Sequence, residues 1–288
     1  MKIVLSRKGC DSAAGKLANV VLPDGTIAML PIPEGHTGSH ARSYQHVNTG
    51  AQSLGPLVHD LSKGRITPNT LAHLDPDLDV GSVPRAPGWK PLFGQSGIAE
   101  RHLQRMGVDV GDLFVFWGWF RPVVQNNGRW RYVPGNHGVH AFFGWLQVEQ
   151  RIDMAQRIAL PPWAADHPHA QRPTTTQPDS VYISADRLHL PGFTIDAPGA
   201  GVLRHFDPAL CLSAPGRSRS YWRLPAWFHP EPGRPPLTYH ADRRRWTRTD
   251  DAVILRSAAQ GQEFVLDADA YPEAVPWIGN LIERFRHA

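Results

Sequence analysis

The ten residues GDLFVFWGWF, 111–120, restrict the possible folds of this chain more than any other segment. Leu113, Val115, Trp117 and Trp119 alternate with Phe114, Phe116, Gly118 and Phe120, so an extended backbone here is apolar on both faces. Such a strand has to be covered from both sides, which predicts the centre of a sheet rather than an exposed stacking platform. Gly118 interrupts the bulky run. It predicts a bulge, or a place where another backbone or a ligand comes close.

The flanking segments extend the pattern. SGIAERHLQRMG (96–107) predicts a helix capped by Ser96, buried through Ile98, Leu103 and Met106, and ended by Gly107. QNNGRWRYV supplies an Asn-Gly turn into a strand with Trp130 and Tyr132 on one side and Arg129 and Arg131 on the other. HAFFGWLQVEQRI (140–152) predicts a further strand, giving a helix followed by a three-stranded antiparallel meander. KIVLS (2–6) reads as a buried strand, and NVVLPDGTIAMLPIP (19–33) as a hairpin turning at PDG. Residues 34–66 read as a long loop, and TPNTLAH (67–73) as a short helix with Thr67 as N-cap and Pro68 at its first position. SVYISADRLHL, GAGVLRHFDPALCLS and QEFVLD predict later strands. PEAVPWIGNLIERFRHA predicts an amphipathic C-terminal helix with Trp277, Ile278, Leu281, Ile282 and Phe285 on one face. The expected class is α+β with mostly antiparallel strands and few helices. One domain over 1–288 is expected, with a possible internal division in the proline- and threonine-rich stretch 161–180.

Charge and cysteine content narrow the function classes. Thirty Lys and Arg against 26 Asp and Glu leave a net charge of +4, which permits nucleic-acid contact without demanding it. Cys10 and Cys211 form neither a disulfide framework nor a zinc motif. No run approaches the about 18 apolar residues of a membrane helix, and the N-terminal apolar run is too short for a signal sequence. A soluble, cytoplasmic protein with no membrane partner is expected.

Several clusters carry chemistry. HLDPDLD places His73, Asp75, Asp77 and Asp79 at alternating positions, which in an extended segment suits a divalent metal; the alternative is a turn cluster. It does not fit a calcium loop, because the twelfth position from Asp75 is Ala86. ADHPHA sets His167 and His169 two apart, fit for metal ligation or acid–base work, with a third partner from Asp166, His137 or His140, or else forms a surface loop. SRKGCDS follows the first strand, and its Arg7, Lys8 and Gly9 can cradle a phosphate, with Asp11 as base or ligand. Cys10 reads as a packed thiol. ADRRRWTR interleaves Arg243, Arg244, Arg245 and Arg248 with Trp246, which suits a nucleic-acid backbone and a stacked base, or a solvated turn with one anchoring tryptophan. In GQEFVL, Gln262 and Glu263 put an amide beside a carboxylate, able to read a base edge or to pair with backbone.

Taken in order, IVLSRKG, LPDGT, LPIP, HLDPDL, the helix at 96–107, GDLFVFWGWFR, DHPH, SVYIS, LPAWF and GQEFV resemble the bacterial and phage nucleotide modification associated domain proteins, the third family of that name. The resemblance runs nearly end to end. It implies a setting in DNA base or nucleotide modification, and site residues Arg7, Lys8, Asp11, Asp75, His167, His169, Gln262 and Glu263. Residues 96–152 are also similar to the PUA-like barrels that include ASCH and EVE domains, which clasp a base or modified nucleotide.

Two readings stand. In one the protein is an enzyme acting on a nucleobase, nucleotide or related small molecule. Asp11, Asp75, His167, His169 and Glu263 are then its acid–base groups, and Arg7, Lys8, Trp119 and Gln262 bind the substrate. A divalent metal is a possible cofactor, with His73, Asp75, His167 and His169 as its candidate ligands, and Arg243, Arg244, Arg245 and Trp246 are the candidate nucleic-acid contacts. In the other, a non-catalytic reader clasps a modified base between tryptophans such as Trp117, Trp119 and Trp145.

Overall fold

A computed structural model describes residues 1–35, 42–50, 52–156, 158–172 and 177–286. Parts of the expected loop (36–41 and 51) and of the stretch 161–180 (173–176) lie outside these residues. In chain order the elements are β1 (Lys2–Arg7), β2 (Asn19–Val21), β3 (Ile27–Ala28), β4 (Ile32–Pro33), β5 (Asn48–Thr49), β6 (Gln52–Ser53), α1 (Leu54–Leu61), β7 (Ala72–His73), β8 (Leu92–Ser96) and α2 (Gly97–Arg105). They continue with β9 (Leu113–Asn126), β10 (Arg129–Tyr132), β11 (Val139–Asp153), β12 (Asp179–Ser184) and β13 (Ala200–Val202). The last are β14 (Tyr221–Pro225), β15 (Trp246–Arg248), β16 (Ala252–Arg256), β17 (Glu263–Asp267) and α3 (Ala274–Phe285).

The main sheet runs β17-β1-β9-β11-β12-β8, with β9 and β11 at its centre. Pairing along this path is antiparallel except between β1 and β9, where Ile3 lies opposite Leu113 and Arg7 opposite Trp117. The α+β class with mostly antiparallel strands therefore holds. The two end strands meet: Gln95 on β8 donates to Glu263 on β17 at 2.5 Å, so the sheet curls into a half-barrel. α2 contacts β8, β12 and β17 and spans this seam. A separate three-stranded sheet, β14-β16-β15, adds Trp222, Leu224, Val253 and Leu255 to the same core.

Strand β9 is covered on both sides, as its composition requires. Phe114 and Phe116 pack against Phe93, and Phe114 also meets Tyr182. Trp117, on the opposite face, packs against His140, Trp222 and Phe264. At Gly118 the chain needs room: a Cβ there would lie 2.6 Å from the Asn19 amide nitrogen and 2.9 Å from the Lys8 carbonyl. The missing side chain admits the loop after β1. The register shift lies across the pair, on β11 between Phe142 and Gly144.

The Asn-Gly turn is formed by Asn127 and Gly128, both with positive φ (51° and 73°), which brings β10 back onto β9. β11 also pairs with β9 rather than with β10, so the expected meander is replaced by a long central strand that both β10 and β11 join. The expected loop at 34–66 contains α1, whose Ser53 side chain caps Gly55 N and whose Leu54, Leu57 and Val58 enter a second core cluster. TPNTLAH is a turn followed by β7: Thr70 N–H donates to the Thr67 carbonyl, and the two hydroxyls lie 3.1 Å apart. These local bonds compete with a helix. In α2, Ile98 is 84% exposed and Glu100 fully buried, so the helix is rotated relative to its apolar pattern. Ser96 makes no side-chain cap, its Oγ accepting from Arg172 instead. α3 buries Ile278, Ile282 and Phe285 as expected. No helix among the described residues is long and apolar enough to cross a membrane.

What rotates α2 is polar. Glu100 Oε1 accepts from Ser180 Oγ (2.7 Å) and Arg151 Nη2 (3.1 Å), while Oε2 accepts from the Tyr182 hydroxyl (2.9 Å). Gln104 Nε2 also donates to Oε1 (3.0 Å), so removing this carboxylate leaves four donors unpaired, one of them a cation. Glu100→Ala should therefore lower stability by about 3 kcal/mol or more, read as a lower urea midpoint at unchanged slope. Ile98→Ser, on the exposed side of the same helix, should change it little.

Candidate functional site

Two segments far apart in sequence converge at the outer edge of β8. β7 pairs with β4, Ile32 opposite His73, which brings Glu34 against the His73 ring. The chain then runs along β8, where Asp77 and Leu92 exchange both backbone hydrogen bonds. β8 pairs with β12 on its other side, so its outward N–H groups need partners. Gly94 N–H donates to Asp75 Oδ1 at 2.9 Å. The second segment is a 3-10 turn, Pro168–Ala170, whose N-cap is His167: His167 Nδ1 accepts from His169 N–H at 3.3 Å. His169 fits only because residue 94 is glycine, since a Cβ there would sit 2.3 Å from the imidazole Cδ2.

The result is one carboxylate ringed by three imidazoles. His73 Nε2 and His169 Nε2 both lie 3.6 Å from Asp75 Oδ2, and His167 Nε2 lies 3.5 Å from Oδ1. All four residues are more than nine-tenths buried. Two further carboxylates hold the outer ring nitrogens: Glu34 is 2.5 Å from His73 Nδ1, and Asp179 is 2.5 Å from His169 Nδ1. Burial would raise the Asp75 carboxyl, but the surrounding imidazoles of His167, His169 and His73 hold it well below the usual carboxylate range. Burial likewise opposes protonation of His73, yet Asp75 and Glu34 lift it to about 9. His73, Asp75 and His169 each offer one ligand atom, all within 4.8 Å of one another, the geometry of a cation site.

On the inward face of β8 a second polar group begins one residue away. Gln95 and Lys8 both donate to Glu263 Oε1, Lys8 at 2.6 Å, and the Lys8 ammonium stands 4.5 Å from the centre of the Phe93 ring. Glu263 Oε2 and its neighbour across the β1–β17 pair, Ser6 Oγ, are buried with no hydrogen-bond partner among the described residues. Lys8 also borders a cavity of about 420 Å³ lined by Arg7, Arg219, Arg245 and Arg256, with Asp11 as its one carboxylate and Trp117, Trp119 and His140 as its rings. The Arg219 guanidinium stacks 4.3 Å from the centre of the Trp119 ring. Burial, then Arg219 and Arg7, push His140 down to about 3, so at neutral pH it adds no charge.

The family model for nucleotide modification associated domain 3 matches residues 2–267. The chain belongs to that family. No curated protein and no solved structure matches it, so the resemblance of 96–152 to PUA-like barrels rests on its motifs alone.

In this nucleotide modification associated domain, HLDPDLD and DHPH meet, while the first loop feeds the cavity. The alternating acids of HLDPDLD do not share one side. Asp75 joins the imidazoles, Asp77 takes a two-pronged Arg85, and Asp79 takes Arg204. The third partner of the histidine pair is none of those expected. Asp166 pairs with Arg42, the His137 carbonyl accepts from Trp119 Nε1, and His140 lies in the cavity. Asp11 accepts from Ala13 and Ala14 N–H at the cavity mouth. Gln262 meets the site through its backbone, its carbonyl accepting from Arg7 N–H at 2.8 Å, and its side chain is exposed. Arg245 reaches the cavity, Arg243 and Arg244 are exposed, and Trp246 is a core residue whose indole N–H donates to the His240 carbonyl. Glu34, Gln95, Asp179, Arg219 and Arg256 were not anticipated. Asp179 carried the best signal, directly before the SVYIS strand.

Cys10 is buried with its thiol 3.2 Å from the Pro31 carbonyl, and burial pushes it up to about 12. A thiol-alkylating reagent at pH 7.5 should therefore leave Cys10 unmodified in the native protein and label it on denaturation, as peptide mass mapping would show. Gly94→Ala should displace the His169 ring and cost about 1–3 kcal/mol, measurable by urea denaturation.

Proposed function

We propose that this protein is an enzyme of DNA base or nucleotide modification, with the imidazole–carboxylate cluster around Asp75 as its reaction centre. The cavity beside Lys8 receives the phosphate of its substrate. One observation carries the reading: four ionisable side chains, each more than nine-tenths buried, are aimed at a single point. Burying ionisable groups is costly, and packed apolar residues would stabilise the fold as well or better. Clusters of this kind with displaced proton affinities mark functional sites.

The cavity has the complementary character. Five cationic side chains face one carboxylate, in a volume within the about 300–1,000 Å³ of small-molecule sites. Arginine forks suit the paired oxygens of a phosphate. Lys8 and Glu263 connect the two regions, Glu263 through Gln95 to the strand that anchors Asp75. Glu263, with one oxygen unpaired, is a candidate to contact the substrate.

The reader hypothesis needs two tryptophan faces around a base. Trp117 and Trp145 are 1% and 2% exposed, and Trp119 is already stacked by Arg219. This disposition favours the enzyme.

Nucleoside mass spectrometry of DNA from host or phage, with and without the gene, tests the function. A new or altered nucleoside is expected when the gene is present, and an unchanged profile counts against the proposal. Asp75→Asn and His167→Gln should abolish that change while nucleotide binding stays within about twofold. Arg7→Ala and Arg219→Ala should each weaken nucleotide binding by about tenfold or more, the worth of a charge-assisted hydrogen bond, in isothermal titration. Full activity in both the Asp75 and His167 variants would remove them from the reaction.

A further inference from the structure

We infer that His73, Asp75 and His169 form a two-histidine, one-carboxylate site for a first-row divalent transition metal, and that His167 stands outside its ligand shell as a proton donor to Asp75. This deepens the reading of the Asp75 cluster as the reaction centre, and it is tested on metal binding alone.

Hydrogen-bond partners set the tautomers. His73 Nδ1 faces Glu34 and His169 Nδ1 faces Asp179, each at 2.5 Å, so a ring that gives up its Nε2 proton to a metal keeps the other proton there. Their Nε2 lone pairs are left pointing at the same oxygen, Asp75 Oδ2. Carboxylates on the outer nitrogens are what metal-bound imidazoles have in protein sites. His167 is wired the opposite way. Its Nδ1 accepts a backbone N–H, which leaves the proton on Nε2, and that atom faces Oδ1, the oxygen already held by Gly94 N–H. The two oxygens of Asp75 are thus divided, Oδ1 among donors and Oδ2 among lone pairs.

Distances agree with shared ligation. At 3.6 Å the two Nε2···Oδ2 contacts are too long for good hydrogen bonds. Ligands about 2.1 Å from a common ion lie about 3.0–3.4 Å apart in octahedral or tetrahedral geometry, a little shorter than the 3.6 Å of these two contacts and inside the 4.8 Å that bounds all three ligand atoms. His167 Nε2, in a residue 2% exposed, faces Asp75 Oδ1 at 3.5 Å without a completed hydrogen bond among the described residues, so its donor is aimed at the carboxylate and not yet met. Two imidazoles and one carboxylate suit Mn(II), Fe(II), Co(II) or Zn(II), whereas Mg(II) and Ca(II) favour oxygen shells. Three protein ligands leave positions open for water or substrate.

Metal-stripped full-length protein titrated with Co(II) by calorimetry and absorption decides the matter. One equivalent should bind, without displacement by millimolar Mg(II). Glu34→Gln and Asp179→Asn should weaken binding by about 10- to 100-fold, and His73→Gln and His169→Gln by more. His167→Gln should leave affinity within about threefold. Because substitutions in a buried cluster can unfold the chain, circular dichroism accompanies each. Proton NMR of the Co(II)-loaded wild type gives the answer without any variant: two exchangeable ring N–H signals with the large contact shifts of directly coordinated imidazole are expected, from His73 and His169. No Co(II) binding by the wild type, binding that survives in folded His73 and His169 variants, or a third contact-shifted ring N–H overturns the assignment. Metal binding with an unchanged nucleoside profile would instead count only against the proposed reaction.

Discussion

The Glu263 carboxylate sits where the two ends of the main sheet meet. β17 carries it, Lys8 reaches it from the end of β1, and Gln95 reaches it from β8. A carboxylate 1% exposed is tolerable only when it is paired and hydrogen-bonded, so this contact ties the curl of the sheet to an electrostatic requirement. Alternation along β8 then follows. With Gln95 turned inward, Gly94 presents its missing side chain to the outer face, where His169 packs, and its edge N–H to Asp75. The same ion pair holds Lys8 at the border of the basic cavity. The seam, the cluster and the cavity form one connected arrangement.

The regions on either side of the seam have opposite electrostatic character. Around Asp75, carboxylates from Glu34 and Asp179 back the imidazoles, an environment suited to cations and protons. Beyond Lys8, four arginines line the cavity, suited to anions. Arg85 keeps the acids of HLDPDLD from merging. Bound to both Asp77 oxygens and stacked 4.0 Å from the Trp89 ring centre, it holds Asp77 apart from the imidazoles. A substrate with an anionic phosphate and a neutral reacting ring matches a site divided this way.

The parts legible in the sequence were those encoded over short windows. Alternation located β9 and β11, apolar and β-branched runs located β1, β12 and β17, and helical spacing located α3, because each pattern reports a burial the segment must satisfy by itself. α1 escaped notice because Gly55 and Pro56 in its first turn look like a loop, although Ser53 supplies its cap. Ile98 misled because Glu100 competes for the same inward position and is satisfied there by four donors. His73, Asp75, His167 and His169 stood out through the density of ligand-type residues in two short motifs. Their supports did not. Glu34 lies 39 residues from His73, and Arg219 and Arg256 enter the cavity from elsewhere in the fold. A single acid or arginine carries no local mark of a distant partner.

GDLFVFWGWF belongs to both the core and the site. Leu113 to Trp117 and Phe120 are core, and Gly118 between them is where the core opens. The space left by its absent side chain admits the Lys8 carbonyl and the Asn19 amide, and Asn19 in turn donates to the Trp119 carbonyl at 3.1 Å. That approach sets the loop after β1 against the strand. It places Arg7 and Lys8 beside Trp117 and Trp119 on one cavity wall. A larger residue at 118 would preserve the strand's hydrophobic pattern and still push this wall apart, because it would meet the hydrogen-bonded Asn19 amide at 2.6 Å and the Lys8 backbone carbonyl at 2.9 Å. The constraint that makes β9 the centre of the sheet therefore also positions the residues proposed to receive the anion.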